Sequence, residues 1–359
     1  MSEKALVTRD GTAPGGASGT APMAAGPPVG DPGGGIDEVP LPPVDRMERC
    51  PTRGYGWASG HHGEILQGLF KVPDEAGGRL CRGLVTLPCR LFWSEATFLP
   101  DASGVVRVTP APKSKVHRAV GLALSRCGGA RWGGHLWVRS NIPPRLGFGS
   151  STSDVTAAIR AVADAFGLRL PSTVVAELAV QAEVAADSVM FGQRAVLFAH
   201  RDGQLIEDFG QPLPALEVLG FNTDPTGAGV DTVTLAPACY SWREIEAFQP
   251  LVALMRRAVH VQDARLVGRA ASASARINQR YLPTPHFDRL ERLVAEVEAL
   301  GVQVAHSGTA AGLLFDPSRP GLDERVRPAQ ARLAELGFGS TWRFRAGGVR
   351  ASEVRRSAA

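Results

Sequence analysis

Asn141-Ile142-Pro143-Pro144-Arg145-Leu146-Gly147-Phe148-Gly149-Ser150-Ser151-Thr152 is the stretch on which the reading of this chain turns. A short apolar run before it, Leu136 to Val138, suits a strand ending at Arg139. Behind it Val155, Ile159, Val162 and Phe166 recur at helical spacing on one face, and Gly167 supplies the stop. A glycine-rich bend between strand and helix lets successive N–H groups point into one hollow and leaves room for a bulky anion. The helix N-terminus adds partial positive charge there. The Ser150 and Ser151 hydroxyls can cap the helix, bind a phosphate oxygen or reach a metal, and an ordinary serine-capped turn has the same composition. Gly-Lys occurs nowhere in the chain, which excludes a Walker loop. No third glycine completes Gly147-x-Gly149 into a dinucleotide fingerprint.

Downstream, Pro171-Ser172 opens a helix carrying Val175, Leu178, Ala179 and Ala182. Glu183 and Asp187 lie four apart at its end and share a face while the helix lasts. Their neighbours Ala182, Val184, Ala185, Ala186, Val189 and Met190 are apolar, and a semi-buried carboxylate needs a partner or a metal. The alternative is two solvated acids at a helix end. His200-Arg201-Asp202 and Asp208-Phe209-Gly210 spell two protein-kinase strings, but position 207 is Glu and the two nearly touch, so the match is coincidental. Arg201 to Gln204 reads as a hairpin turn.

The remaining elements place the loop in an α+β chain of two lobes. Leu80 to Leu87, Cys89 to Trp93 and Val105 to Val108 read as short strands, and Lys115 to Cys127 as a helix. After Gln211-Pro212 the pattern starts afresh. It gives a strand over Leu216 to Phe221, a helix over Arg243 to Val259 and another marked by Phe287, Leu290, Val294 and Val297. A strand over Leu313 to Phe315 and a last helix with Leu333 and Leu336 follow, with the division between lobes near Gln211.

Composition sets the outer bounds. The 359 residues are 44% hydrophobic and 21% charged, values of a globular chain. No run of eighteen apolar residues exists, so no membrane partner is expected. Residues 1–45 hold nine glycines and eight prolines, and a disordered tail is expected over 1–46. From Arg343 onward there are five arginines and one glutamate, a surplus equal to the whole net charge of +4. The body is therefore neutral, nucleic acid is not an expected partner, and 346–359 reads as a solvated basic tail. Five scattered cysteines without a C-x-x-C pair indicate neither zinc nor a disulfide framework. With no cleavable leader pattern, the expected compartment is the cytoplasm.

Two further segments complete a set: Gly60-His61-His62-Gly63-Glu64-Ile65-Leu66-Gln67-Gly68 and Ala305-His306-Ser307-Gly308-Thr309-Ala310-Ala311-Gly312-Leu313. With the glycine–serine bend they resemble the three motifs of the GHMP kinases. The likeness is nearest to the branch of L-threonine kinases in cobalamin side-chain synthesis, whose first motif is C-G-E-L-x-Q-G-like. It runs over roughly Tyr55 to Phe344 and includes Asp187-Ser188-Val189-Met190-Phe191 and Val230-Asp231-Thr232. The resemblance implies a ribosomal-protein-S5-domain-2-like lobe over 47–211 and a ferredoxin-like lobe over 212–345. It implies transfer of the γ-phosphoryl group of ATP, with Mg2+, to a small-molecule hydroxyl, that of L-threonine or a related hydroxy amino acid. A different alcohol of specialised metabolism, or a silent nucleotide-binding regulator, stands as the alternative.

Residue by residue, the resemblance assigns the ATP phosphates to Pro144, Leu146, Gly147, Phe148, Gly149, Ser150, Ser151 and Thr152. Glu183 becomes the magnesium ligand, with Ser150 or Ser151 on the same ion, and Asp187 the base that takes the hydroxyl proton. Some members of the family work without a base. Ser307, Gly308 and Thr309 belong to the motif that closes over the loop and, with Gly63 of the first motif, are assigned to the substrate. Glu64 and Gln67, or Asn222, Asp224 and Thr226, can bind a substrate amine or carboxylate. His61-His62 reads as pocket lining or plain surface rather than a metal site; Lys115 and Arg118 as phosphate contacts or a solvated helix end. Arg145 and Phe148 suggest a narrower phosphate pocket, and a homodimer is compatible with the sequence.

Overall fold

Two long antiparallel strands, β1 (Gly54–Val72) and β2 (Arg79–Asp101), form the spine of the molecule. The two short strands expected over Leu80 to Trp93 are one strand. Its register against β1 slips where Ser59 faces Trp93 but Gly60 faces Cys89. The extra residues bulge out beside Pro88, which has no N–H to give to the ladder. The computed structural model describes residues 50–73, 77–144, 146–224, 238–306 and 309–348. The expected tail at 1–46, most of the basic tail, Arg145, Thr226, Val230 to Thr232, Ser307 and Gly308 lie outside the described residues.

On one side of the spine stand β3 (Val106–Thr109) and β4 (Gly133–Ser140); on the other, β7 (Leu216–Asn222), β8 (Gly301–Val304), β9 (Ala310–Phe315) and β10 (Thr341–Ala346). The order is β10-β7-β9-β8-β1-β2-β4-β3, and the hairpin of β5 (Arg194–Ala199) and β6 (Gln204–Pro212) branches from β2. The turn expected at Arg201 to Gln204 joins that hairpin. β8 meets β1 at a single pair, Glu64 opposite Val304.

Three helices pack on the first set of strands: α1 (Ser114–Arg126), α2 (Ser150–Ala165) and α3 (Ser172–Glu183). Phe98, Val155, Ile159, Val162 and Val175 fill their core. The later strands carry α4 (Trp242–His260), α5 (Ala264–Asn278), α6 (Phe287–Glu296) and α7 (Leu322–Glu335). Their cores hold Phe248, Met255 and Ala271 on one side and Leu219, Phe221, Leu290 and Leu333 on the other. The α+β class is as the sequence implies, but α5 is an addition to that reading. Leu336 caps α7 instead of riding on it. Arg343 and Arg345 are not tail residues: they sit on β10 and both bind the buried Glu217.

Candidate active site

The glycine–serine bend opens α2 without a side-chain cap. Gly149 takes the N-cap position at φ 69°, ψ 34°, and no side chain accepts from the first turn. The serine cap allowed by the sequence is absent because Gly149 takes the cap position, which leaves Ser150 and Ser151 inside the first turn. Ser151 Oγ donates to Glu183 Oε2, and Ser153 Oγ donates to the Ser59 carbonyl at 2.9 Å. The first N–H groups of a helix without a cap are left for an anion. The Phe148 ring is buried against Phe92, His62 and Trp342, so this residue offers the loop only its backbone and does not narrow a pocket. Two backbone bonds strap the other motifs to the bend: His61 N–H to the Phe148 carbonyl at 3.1 Å, and Ala310 N–H to the Leu146 carbonyl at 2.9 Å. A small apolar cluster of Ile142, Phe148, Ala305 and Ala310 lies beneath them.

Glu183 and Asp187 reach this bend by a route that helical spacing did not foresee. α3 stops at Glu183 because Val184 turns to φ 76°, so the two acids share no helix face. Asp187 instead leads into a 3-10 turn over Ser188–Phe191. They converge all the same, Glu183 on Ser151 and Asp187 Oδ2 on Thr152 Oγ1 at 3.4 Å. Burial pushes the Glu183 carboxyl up to about 7, against the pull of the Ser151 hydroxyl and of Lys115, whose Nζ lies 3.5 Å from Oε2. Oε1 of Glu183 is buried with no hydrogen-bond partner. A buried carboxylate with one orphaned oxygen, beside a serine hydroxyl, is a donor set that suits a hard divalent cation. Lys115 thus faces Glu183, while among the described residues no contact places Arg118 on the loop.

Three histidines surround Asp187. His61 Nε2 lies 2.9 Å from Asp187 Oδ2, and His61 Nδ1 lies 3.8 Å from Glu64 Oε1. The same Glu64 oxygen pairs with His306 Nδ1 at 2.9 Å, and Glu64 Oε2 accepts the His306 backbone N–H at 2.6 Å. The His200 ring stands 5.6 Å from that of His306. In a regular strand residues three apart face opposite sides. Here the ladder shifts between His61 and Glu64, with Gly63 at φ 63°, and that bulge turns both side chains to one cluster. His62 points the other way, into Phe148, Trp342 and Phe344, with Nδ1 2.9 Å from Gln303 Oε1. Neither histidine is surface.

The electrostatics follow from burial and pairing. Burial disfavours charge on Asp187, but His61, then His306 and His200, outweigh it and hold the carboxyl well below the usual carboxylate range. Burial likewise opposes a proton on His61, and Asp187 and Glu64 reverse it, so the pKa is raised. For His306 burial is outweighed chiefly by Glu64, which carries the ring up to about 9. Burial, helped by the charge on His306, presses His200 down to about 3, and burial presses His62 down to about 4. His61, Glu64 and Asp187 bring one ligand atom each within 4.8 Å of one another. His61 Nε2 lies at ion-pair distance from Asp187, whereas Nδ1, 3.8 Å from Glu64 Oε1, stands beyond hydrogen-bond reach of that carboxylate.

Of the other residues singled out in the sequence, Gly63 serves by what it lacks, since a Cβ there would lie 2.2 Å from Gln303 Nε2. Gln67 is tied to α5 by its backbone, through Ser274 Oγ at 3.0 Å and Asn278 Nδ2 at 3.1 Å, rather than to the bend. Thr309 is buried with its Oγ1 unpartnered, and its carbonyl accepts from Thr223 N–H at 2.8 Å. Asn222 and Asp224 bond to each other across a turn. The sequence reading missed His306 and His200 as site residues. The available signal was a histidine inside the third motif and another immediately before an otherwise ordinary hairpin turn.

Known proteins with this pattern bear on the site. Residues 114–196 match the GHMP kinases N terminal domain. The chain is 30% identical over 282 residues to an L-threonine kinase of Salmonella typhimurium, covering 78% of this chain and 87% of that one. An L-threonine kinase of Citrobacter freundii is 33% identical over 187 residues, 52% of this chain and 64% of the other. Among solved structures, a homoserine kinase from Cytophaga hutchinsonii superposes with a TM-score of 0.61 at 13% identity, over 84% of this chain and 96% of its own. Among the described residues no helix is long and apolar enough to cross a membrane.

Proposed function

The chain belongs to the GHMP kinases, and from that premise we propose that it transfers the γ-phosphoryl group of ATP to the side-chain hydroxyl of L-threonine or a closely related hydroxy amino acid. The observation that carries the reading is the meeting of Glu183, the last residue of α3, and Asp187, just beyond it, on the uncapped start of α2. The acceptor is named from the L-threonine kinases that the chain resembles along most of its length.

Phosphoryl transfer asks a protein for alignment and charge neutralisation more than for covalent chemistry. The free N–H groups after Gly149, with Ser150 and Ser151, receive the ATP phosphates. Glu183 and Ser151 would hold Mg2+, which when bound neutralises charge on the β- and γ-phosphates. Asp187, ionised and 3.4 Å from Thr152, takes the proton of the substrate hydroxyl. The hydroxyl oxygen forms its bond to the γ-phosphorus as the bond to the β–γ bridging oxygen breaks, and ADP leaves with that electron pair. The third motif, strapped to Leu146 through Ala310, shields the reacting group from water.

The test is ADP release from ATP and magnesium across a panel of L-threonine, L-serine, L-homoserine and non-amino-acid alcohols, with the product identified by phosphorus NMR. L-threonine should stimulate ADP release and yield its O-phosphate. Preference for an alcohol without an amino-acid backbone would overturn the proposed acceptor.

A further inference from the structure

The acid expected to take the substrate proton does not stand alone in the protein. It ends a chain of four charged groups contributed by three separate segments. Asp187 comes from the link after α3, His61 and Glu64 from β1, and His306 from the segment after β8. His61 and Glu64 are closed off from solvent, with side chains 1% and 0% exposed, and exposure rises at both ends of the chain, to 12% at Asp187 and 26% at His306. Two buried carboxylates with no cation would take up protons rather than remain charged. Each here has an imidazole within 2.9 Å.

The His61 ring also has no freedom to be anywhere else. Its backbone N–H is bonded to the Phe148 carbonyl, and a Cβ on Gly149 would lie 2.3 Å from its Cδ2, so the ring lies flush against the phosphate bend. One nitrogen faces Asp187 and the other faces Glu64. The bulge at Gly63, which puts Glu64 behind the ring, serves no pairing need of the sheet, since it interrupts the ladder.

We propose that His61 is a positioning residue for the reaction: paired with Asp187 at 2.9 Å and backed by the Glu64 charge, it aims the Asp187 carboxylate at the phosphate bend and keeps it ionised. Glu64, itself paired with His306 at 2.9 Å, stands behind the ring as a second negative charge 3.8 Å from Nδ1. This rests on the reading of Asp187 as proton acceptor. Toward Asp187 the charged or titratable groups are His61 from β1, His306 after β8, His200 after β5 and Glu183 at the end of α3. Toward His61 they are Asp187, Glu64 and His306. Of these only His61 touches the Asp187 carboxylate at ion-pair distance.

The conservative variant is His61→Gln, whose amide nitrogen lies near the place of Nε2 and keeps a polar N–H beside Asp187 while the charge goes. Wild-type kcat should lose nothing to Asp187 protonation down to about pH 5, since its carboxyl stays ionised there. In H61Q the burial of Asp187 is no longer offset, its carboxyl takes up a proton in the acidic range, and kcat should fall on the order of 10 to 100-fold at pH 6. It should recover to within a few-fold by pH 9, with the KM for ATP near wild type. A loss equal at every pH, or no loss, overturns the role of His61. Asp187→Asn separates this from the parent reading, because unimpaired turnover in D187N would remove the acceptor itself. A second measurement guards against poor folding of H61Q. Histidine nitrogen shifts at pH 7.5 should show one imidazolium of the wild type turning neutral in D187N, and an unchanged histidine spectrum overturns the pairing of His61 with Asp187.

Discussion

Gly149 carries two constraints that can be pulled apart by substitution. Its φ of 69° is strained for any residue with a Cβ, and a Cβ there would meet His61 at 2.3 and 2.5 Å and the Asp187 carboxylate at 3.1 Å. Gly167 has the same backbone strain at φ 68° but nothing within 4 Å of its would-be Cβ. Both Gly149→Ala and Gly167→Ala should therefore cost about 1–2 kcal/mol of stability for the backbone alone. Only G149A should push the imidazole off Asp187 and crowd the phosphate bend, with a fall in kcat on the order of 100-fold, the scale of an ångström-sized misplacement. Steady-state kinetics beside urea unfolding of the two variants decides it. Equal activity in both would mean that the packing of His61 on the bend is dispensable. The bend itself was legible because glycine and serine are informative residues. That a neighbouring strand presses a histidine against it was not, because contact between residues 88 positions apart leaves no local mark.

At the scale of elements, α2 was readable and the end of α3 was not. α2 buries Val155, Ile159 and Val162 at plain helical spacing, whereas α3 is ended by Val184, a β-branched residue at φ 76° and 72% exposed. Nothing in local propensity would choose valine there, and strain of this kind gathers where a site needs a particular chain path. The turn is what carries the chain from Glu183 to Asp187. Val184→Gly should relieve about 1–3 kcal/mol of strain, less about 0.5–1 kcal/mol of added unfolded-state freedom, with no core lost. The urea midpoint should rise. A lower midpoint would mean that the valine side chain stabilises the turn in some other way. α5 escaped the sequence reading for a different reason: apart from Val267 its buried face is built of small residues, Ala264, Gly268, Ala270, Ala271, Ser274 and Ala275, which pack closely on β1 and β8 and lack the large apolar side chains by which a core helix is noticed. The bulge at Gly63 was hidden too, since a motif string does not say which way Glu64 points.

For the molecule as a whole, the buried acids and histidines set a pH profile of stability whose sign can be worked through. His62 and His200 have folded pKa values of about 4 and about 3 against 6.5 unfolded. Between those values and pH 6.5 the unfolded chain binds more protons, so both make stability rise with pH. Glu183, at about 7 folded against 4.5 unfolded, acts oppositely over 4.5 to 7. Two rising contributions against one falling leave a net rise up to about pH 6.5. Above that, His306, raised to about 9, and His61, raised as well, hold protons that the unfolded chain has lost. Their stabilisation is complete below 6.5 and is lost as pH climbs through their folded values. Asp187, depressed by its histidines, contributes everywhere above the usual carboxylate range and is lost only in strong acid. Stability of the metal-free protein should thus peak near pH 6.5 and decline toward pH 9. His306 belongs to the segment after β8 and Glu64 to β1, the two strands that meet at the one pair Glu64 and Val304. The alkaline decline therefore reports how firmly the third motif is held to the first, and His306→Asn should remove about 1–3 kcal/mol of it. Urea unfolding from pH 5 to 9 with and without H306N measures this. A stability that kept rising from pH 6.5 to 9 would mean that the buried histidines are neutral and the four-group chain is not ionic.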